Sequence, residues 1–192
     1  MNRKRKHPTR IILSGLAGAG KSSVGKALAD QLGFTYRMAS TPARKEADKR
    51  GITMNELQVE LEDDLDFDRK LDSELVAWGE DNDCWVMDYR MGFALLPEAT
   101  SIYLTVEVSE AARRIKASSR PGEFKGDEST EEILTKISER NEAMRTRLQK
   151  VHEADFTDQR KYDFVVATDG KSIEALVHEI LVLNQCKLKS EQ

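Results

Sequence analysis

The sequence has few cysteines, few histidines and no long apolar run, and each shortage argues against a class of protein. Cys84 and Cys186 lie far apart without metal-site spacing, so we interpret them as reduced packing residues. His7, His152 and His178 are scattered, which does not support a metal-hydrolase site. No apolar run approaches the roughly 18 residues of a membrane span. No signal-peptide core follows the basic N-terminus, so we expect a cytoplasmic protein without membrane contact.

The chain also lacks a large excess of either charge. It has 34 acidic and 30 basic residues among 192, for a formal net charge of -4. This balance disfavours nucleic acid as a partner. The length suits one domain, which we predict over residues 10–185. A basic, disordered tail is expected at 1–9 and a polar tail at 186–192, and we expect a monomer.

Short runs of β-forming residues alternate with longer stretches of helical periodicity. Such alternation implies right-handed crossovers and a mostly parallel sheet, with ligands bound beyond the carboxyl ends of its strands. The sequence therefore predicts an α/β protein with five parallel strands flanked by helices. The predicted strands are 10–14, 34–38, 84–88, 101–106 and 162–168. The predicted helices are 21–32, 41–50, 67–81, 109–119, 130–152 and 172–183, with a further helix opened by a capping box at 53–56.

The most specific motif, Gly-x-x-x-x-Gly-Lys-Ser, lies between a strand-like run and a helical pattern. Its glycines allow strained backbone angles that bring N–H groups close to phosphate oxygens. The lysine supplies a point charge to the β- and γ-phosphates, the serine hydroxyl binds Mg²⁺, and the following helix points its N-terminus at the anion. The motif predicts a P-loop NTPase fold with ATP and Mg²⁺ as cofactors. The predicted nucleotide-binding residues are Gly15, Leu16, Ala17, Gly18, Ala19, Gly20, Lys21, Ser22 and Ser23.

Other features narrow the class of nucleotide-binding protein. Asp88 ends an apolar strand, so we predict that it lies beside the phosphate loop and serves with Ser22 at the Mg²⁺ site. An Asn-Lys-x-Asp motif that reads guanine is absent, which disfavours a GTPase, and the chain is too short for a ring ATPase. A kinase is the favoured class.

Arginine is the natural bidentate clamp for phosphate, and several arginines stand where phosphoryl transfer needs positive charge. Arg44 follows the second predicted strand and Arg90 the third. A glycine-containing segment at 118–130 has arginines on both sides, which is typical of a lid that closes over a nucleotide. The arginines around this segment include Arg113, Arg114, Arg120, Arg140, Arg145 and Arg147, of which Arg140 and Arg147 share one helix face.

Taken together, these residues resemble the nucleoside monophosphate kinases, and most closely the cytidylate-kinase-like members. The resemblance covers roughly residues 10–183. Besides the phosphate loop, its pieces are Arg44-x-x-Ala-x-x-x-Gly51, Asp68-Arg-Lys-Leu-Asp72, Asp88-Tyr-Arg90, the spacing of Arg140 and Arg147, and Tyr162-Asp163 before a strand that ends in Thr168-Asp-Gly170. The phosphate loop is specific, whereas the other pieces are individually weak but occur in the family's order.

The resemblance implies transfer of the γ-phosphoryl group of ATP to a pyrimidine nucleoside monophosphate such as CMP or dCMP. A small helical insert at about 41–81 would bind this acceptor through Arg44, Arg90, Asp68 and Asp72. For the two aspartates, capping and salt bridging on a charged helix is an open alternative. The catalytic residues would be Lys21, Arg114, Arg120, Arg140 and Arg147, and Arg114, Asp169 and Gly170 would line the adenine side.

The chain departs from the family pattern around the predicted acceptor. Tyr89 replaces the usual glycine before the acceptor arginine, Ser118 replaces an arginine, and the segment at 38–43 lacks a glycine. Two other functions therefore stay open. One is a small-molecule hydroxyl kinase of the shikimate or gluconate type, in which Asp88 or another carboxylate acts as base. The other is a catalytically silent ATP-binding regulatory protein.

Overall fold

The computed structural model describes residues 9–52, 54–61, 64–117 and 129–190, in which strands and helices alternate. The strands are β1 (Arg10–Gly15), β2 (Thr35–Met38), β3 (Trp85–Asp88), β4 (Thr100–Thr105) and β5 (Phe164–Ala167). The helices are α1 (Lys21–Leu32), α2 (Thr41–Arg50), α3 (Met54–Glu60), α4 (Leu65–Asp81), α5 (Gly92–Leu95), α6 (Val108–Ala117), α7 (Thr130–His152) and α8 (Ile173–Ser190), with a short 3-10 helix at Gln159–Lys161.

The five strands form one parallel sheet in the order β2-β3-β1-β4-β5. β1 is central, and Ile11 pairs with Val86 of β3 on one side and with Thr100 of β4 on the other. The next strand along the chain, β2, lies beyond β3 on one side of β1, whereas β4 and β5 lie on the other side. Strand order therefore reverses at β1. A ligand crevice is expected at the carboxyl edge of such a switch point.

The sheet separates two apolar cores, and alternate side chains of β1 enter each of them. Ile11 and Leu13 pack on one face against buried residues of α1 and α8 such as Leu28 and Ile180. Ile12 enters the opposite core with residues from α4, α7 and the loops after β3 and α7. The second core therefore fixes α4 and α7 relative to the carboxyl ends of the strands.

The predicted fold class is confirmed, including the five-stranded parallel sheet and the flanking helices. Three helices, α1, α2 and α7, have the predicted bounds. The ends of the other predicted elements that the structure describes differ by only a few residues, except that α8 continues to Ser190. The four-residue helix α5 was not predicted. The interpretation of both cysteines as packing residues is wrong for Cys84, which is exposed with a φ of 59°.

The predicted insert at 41–81 contains α2, α3 and α4. The basic tail before Thr9, most of the predicted lid and the last two residues lie outside the described residues, so these parts of the domain assignment stay predictions. Across the described ranges, we find no helix with the length and apolar character needed to cross a membrane.

Tyr162 connects the second core to the start of the phosphate loop. Its hydroxyl donates to the Phe156 carbonyl oxygen at 2.8 Å and lies 2.9 Å from Ser14 Oγ, and all three groups are buried. Loss of a hydroxyl here leaves buried polar groups without a partner.

We therefore expect Tyr162→Phe to lower the free energy of unfolding by about 1–3 kcal/mol, measured by chemical denaturation. Tyr103→Phe is the matched control. Tyr103 is equally buried and stacks on Tyr162, but within the described residues its hydroxyl has no hydrogen bond. Equal destabilisation by the two variants would contradict the role given to the Tyr162 hydroxyl.

Candidate active site

The loop between β1 and α1 adopts backbone angles that its glycines make possible. Gly15 has a φ of 138° and Gly18 a φ of 82°. A Cβ on Gly15 would lie 2.4 Å from the Leu104 carbonyl oxygen, and a Cβ on Gly18 would lie 2.6 Å from the Ala111 side chain. The phosphate loop is therefore packed directly against β4 and α6, and neither position has room for a side chain.

Lys21 is buried, and its ammonium lies inside the loop. Its Nζ donates to the carbonyl oxygens of Gly15 and Leu16, at 2.9 Å each. The N-terminus of α1, which starts at Lys21, lies at the same place. A lysine charge and the positive end of a helix together form an anion site, and this arrangement fits the phosphates of a nucleotide.

Ser22 and Asp88 meet at the mouth of this site. Ser22 Oγ donates to Asp88 Oδ2 at 3.1 Å, because Asp88 ends β3 next to β1. Hydroxyl and carboxylate oxygens are the ligands that Mg²⁺ prefers, so the pair fits this ion. Tyr36 lies nearby with a buried hydroxyl, and burial together with the Asp88 charge raises its pKa to about 12. The tyrosine therefore stays neutral beside the carboxylate.

One cavity opens at the carboxyl ends of β1, β2 and β3, and it contains most of the residues predicted from the sequence. Its lining includes Lys21, Ser22, Arg44, Asp68, Asp72, Asp88, Arg90, Arg140 and Arg147. The residues predicted for the phosphate, the metal and the acceptor thus share a single cavity. Their roles stay predictions.

Arg90 is a partly buried cation in this cavity. Its guanidinium lies 5.7 Å from the centre of the Phe156 ring and has no ion-pair partner among the described residues. Burial lowers its pKa, and the neighbouring Asp88 carboxylate opposes that shift. An arginine remains charged under these conditions, so the floor of the cavity carries a positive charge suited to an anionic ligand.

A polar network on the opposite wall joins α4 to α7. The Tyr89 hydroxyl donates to Asp72 Oδ1, and His152 Nε2 lies 2.8 Å from Asp72 Oδ2. One turn earlier on α4, Asp68 accepts a hydrogen bond from Arg147 Nε. Burial raises the pKa of Asp68, and Arg147 partly offsets this rise. Tyr89, the departure from the family pattern, therefore fixes a carboxylate that lines the cavity.

Arg114 lies outside this cavity, on the far side of the phosphate loop. Its guanidinium donates from Nη1 to Thr168 Oγ1 and from Nη2 to the Thr168 carbonyl oxygen, and Nε donates to Glu110. Hydrogen bonds from Arg113 and Arg114 lower the pKa of Glu110 to about 2. Arg114 thus connects α6 to the segment after β5 that was predicted to line the adenine.

That segment is also connected through Asp169, whose Oδ1 accepts a hydrogen bond from the backbone N–H of Glu107, and Gly170 follows with a φ of 66°. Arg120 and Ser118 lie outside the described residues. Sequence reasoning missed Asn141, which contacts the phosphate loop, and the link between His152 and Asp72. A signal for Asn141 was present, since it is a polar residue at helical spacing from Ile133 and Ile137.

Comparisons with known proteins identify a family and several relatives. A family model described as "AAA domain" matches residues 11–135. Cytidylate kinase of Ignicoccus hospitalis is 30% identical over 173 residues, which cover 90% of this chain and 96% of the relative. An S-adenosylmethionine-dependent nucleotide dehydratase of Lacinutrix mariniflava is 34% identical over 162 residues. This match covers 84% of the chain, which spans only 33% of that relative's length.

Solved structures with the same fold include two other kinases. Shikimate kinase from Bacteroides thetaiotaomicron superposes with a TM-score of 0.61 at 18% identity, covering 92% of this chain and 98% of that one. A gluconokinase from Sinorhizobium meliloti superposes with a TM-score of 0.57 at 18% identity and covers 97% of both chains. At such low identity these structures establish the fold alone.

The fold and the site define a P-loop phosphotransferase. The family match covers more than half of the chain, so the chain belongs to this AAA-domain family of P-loop kinases, and cytidylate kinases are among its relatives.

We expect Arg114→Ala to weaken ATP binding about tenfold, because the Thr168 segment loses charged hydrogen bonds. Calorimetric titration with Mg-ATP measures the effect. Arg113→Ala is the matched control, since Arg113 is the preceding residue on α6, is largely exposed and contacts the same Glu110 without reaching Thr168. Equal loss of affinity in both variants would show that Glu110, rather than the Thr168 contact, is responsible.

Proposed function

We propose that the protein transfers the γ-phosphoryl group of ATP to a nucleoside monophosphate, with CMP or dCMP favoured. The observation that carries the proposal is the position of Arg90. It is a partly buried cation without an ion-pair partner among the described residues, in the cavity that also contains Lys21. An anion bound at Arg90 lies in the same cavity as the nucleotide site, as an acceptor phosphate requires.

The relatives support a nucleotide acceptor. Several cytidylate kinases match most of this chain, including that of Sulfurisphaera tokodaii, which is 27% identical over 181 residues covering 91% of this chain and 98% of the relative. The relative named as a nucleotide dehydratase is also, by that name, a protein that acts on nucleotides. We extend this substrate class to the present chain as a proposal.

The proposed mechanism is in-line displacement. An anionic oxygen of the acceptor phosphate attacks the γ-phosphorus of ATP, the bond to the bridging oxygen breaks, and ADP leaves with that electron pair. No strong base is needed, because the attacking oxygen is already ionised. Arg44 and Arg90 hold the acceptor, and Lys21, Arg140 and Arg147 offset the charge that develops on the transferring group.

In this proposal Ser22 and Asp88 would hold Mg²⁺, which would supply positive charge to the phosphates of ATP. On the adenine side, Arg114 holds the segment containing Asp169 and Gly170. Arg120 is proposed to act from the lid. Asp68 and Asp72 face the acceptor, and Asp72 is fixed in place by Tyr89 and His152. Within the cell, we propose that the protein acts as a cytoplasmic monomer.

A panel of acceptors tests the proposal. With Mg-ATP, ADP release coupled to a reporter reaction is expected to be fast with CMP or dCMP and slow with UMP, AMP, GMP, dTMP, shikimate and gluconate. Turnover only with shikimate or gluconate would show that the acceptor is a hydroxyl compound rather than a nucleoside monophosphate. Bound ATP without turnover of any acceptor would favour the regulatory alternative.

Two substitutions separate the nucleotide side from the acceptor side. Lys21→Ala is expected to reduce kcat at least about 100-fold, because a charge that stabilises the transition state is lost. Arg90→Ala is expected to raise the acceptor KM about 10- to 100-fold and to leave the Kd for ATP within about twofold, since a charged hydrogen-bond donor to the acceptor is lost. Steady-state kinetics and calorimetry provide these values.

Arg37→Ala is the control, because Arg37 contacts the Trp78 ring away from the cavity and should leave both constants unchanged. Thermal unfolding confirms that each variant is folded. Comparable loss of ATP affinity in the Lys21 and Arg90 variants would contradict the role given to Arg90.

A further inference from the structure

The inner face of α7 carries one polar residue in an apolar row. Ile133 and Ile137 are buried against α6 and the phosphate loop, and Met144 and Leu148 continue the row into the second core. Asn141 lies between them at helical spacing. A polar side chain in such a row destabilises the fold unless it has a hydrogen-bond partner.

The partner of Asn141 is the phosphate loop itself. The backbone N–H of Ala17 donates to Asn141 Oδ1 at 3.1 Å, and this donor identifies the oxygen end of the amide. The same peptide group carries the Leu16 carbonyl oxygen, which accepts from Lys21 Nζ at 2.9 Å. Lys21 and Asn141 therefore bind the two polar ends of a single peptide unit, and together they fix its orientation.

This arrangement has a consequence for nucleotide binding. The lysine of a phosphate loop reaches the β- and γ-phosphates when the nucleotide is bound. As Lys21 turns from the Leu16 carbonyl to a phosphate, the Leu16–Ala17 peptide keeps its contact with Asn141 at 3.1 Å and a longer one, at 3.4 Å, from the Ala19 N–H to the Leu16 carbonyl oxygen. The side chain of Asn141 on α7 then supplies the shorter of the two hydrogen bonds that hold this peptide.

The chemistry of the side chain matters as much as its position. A carboxylate would accept the Ala17 N–H more strongly than an amide does. It would also place a negative charge next to a site for phosphate and compete for the Lys21 ammonium. An amide provides an acceptor without charge, which suits a loop that binds anions.

We propose that Asn141 is a positioning residue that holds the Leu16–Ala17 peptide of the phosphate loop as a neutral acceptor and so preserves the nucleotide site when Lys21 engages phosphate. The proposal rests on the nucleotide-binding part of the proposed function and is independent of the acceptor. It predicts that a negative charge at this position preserves stability and weakens nucleotide affinity.

Three variants test it: Asn141→Ala, Asn141→Asp and the control Glu139→Ala, which changes an exposed residue on the same helix. We expect wild type and Asn141→Asp to unfold at a higher temperature than Asn141→Ala, because the aspartate keeps the hydrogen bond. Calorimetry with Mg-ATP is expected to give a different order. Asn141→Ala should bind about three- to tenfold more weakly than wild type, and Asn141→Asp about 100-fold more weakly, with the control unchanged.

A purely structural role would give the same order in both measurements, and that result would overturn the proposal. Wild-type affinity in Asn141→Ala would overturn it as well. Failure of the wild-type protein to bind ATP would contradict the proposed function and this proposal together, whereas wild-type binding with unaffected variants would contradict this proposal alone.

Discussion

The buried ammonium of Lys21 is the constraint on which the rest of the site depends. A charge removed from water must be surrounded by oxygen atoms, and here the Gly15 and Leu16 carbonyl groups provide them. Those carbonyl groups face inward because Gly15 adopts a positive φ, and that angle brings the loop against β4 with no space for a Cβ. β1, β4 and the phosphate loop are thus arranged around the ammonium of Lys21.

The other half of the cavity follows a different principle. On the phosphate side backbone groups surround a charge, whereas on the opposite wall polar side chains from α4 and α7 contact one another in pairs. Between these two halves lies Arg90, without such a pair among the described residues. A partly buried cation without an ion-pair partner among the described residues favours an anion at that point. The polar side chains of the opposite wall can then select a ligand through hydrogen bonds.

The sequence was sufficient to predict the fold and the positions of the phosphate-loop residues and Asp88, because both depend on local patterns. A glycine motif between a strand and a helix places Lys21 and Ser22 by short-range geometry, and Asp88 follows from its position at the end of an apolar strand. The contacts of Asp72 with Tyr89 and His152, and of Asn141 with Ala17, join residues far apart in the chain. Periodicity places such residues on a helix face but does not choose their partners, and the four residues of α5 are too few to show a period.

The pair formed by Asp68 and Arg147 also constrains how this sequence can change over time. Both side chains are largely buried, so removal of one takes a charged partner from the other, which is more destabilising than replacement of the whole pair. The two positions are therefore not independent in evolution. We expect a replacement of Asp68 on α4 to be tolerated best when Arg147 on α7 changes with it.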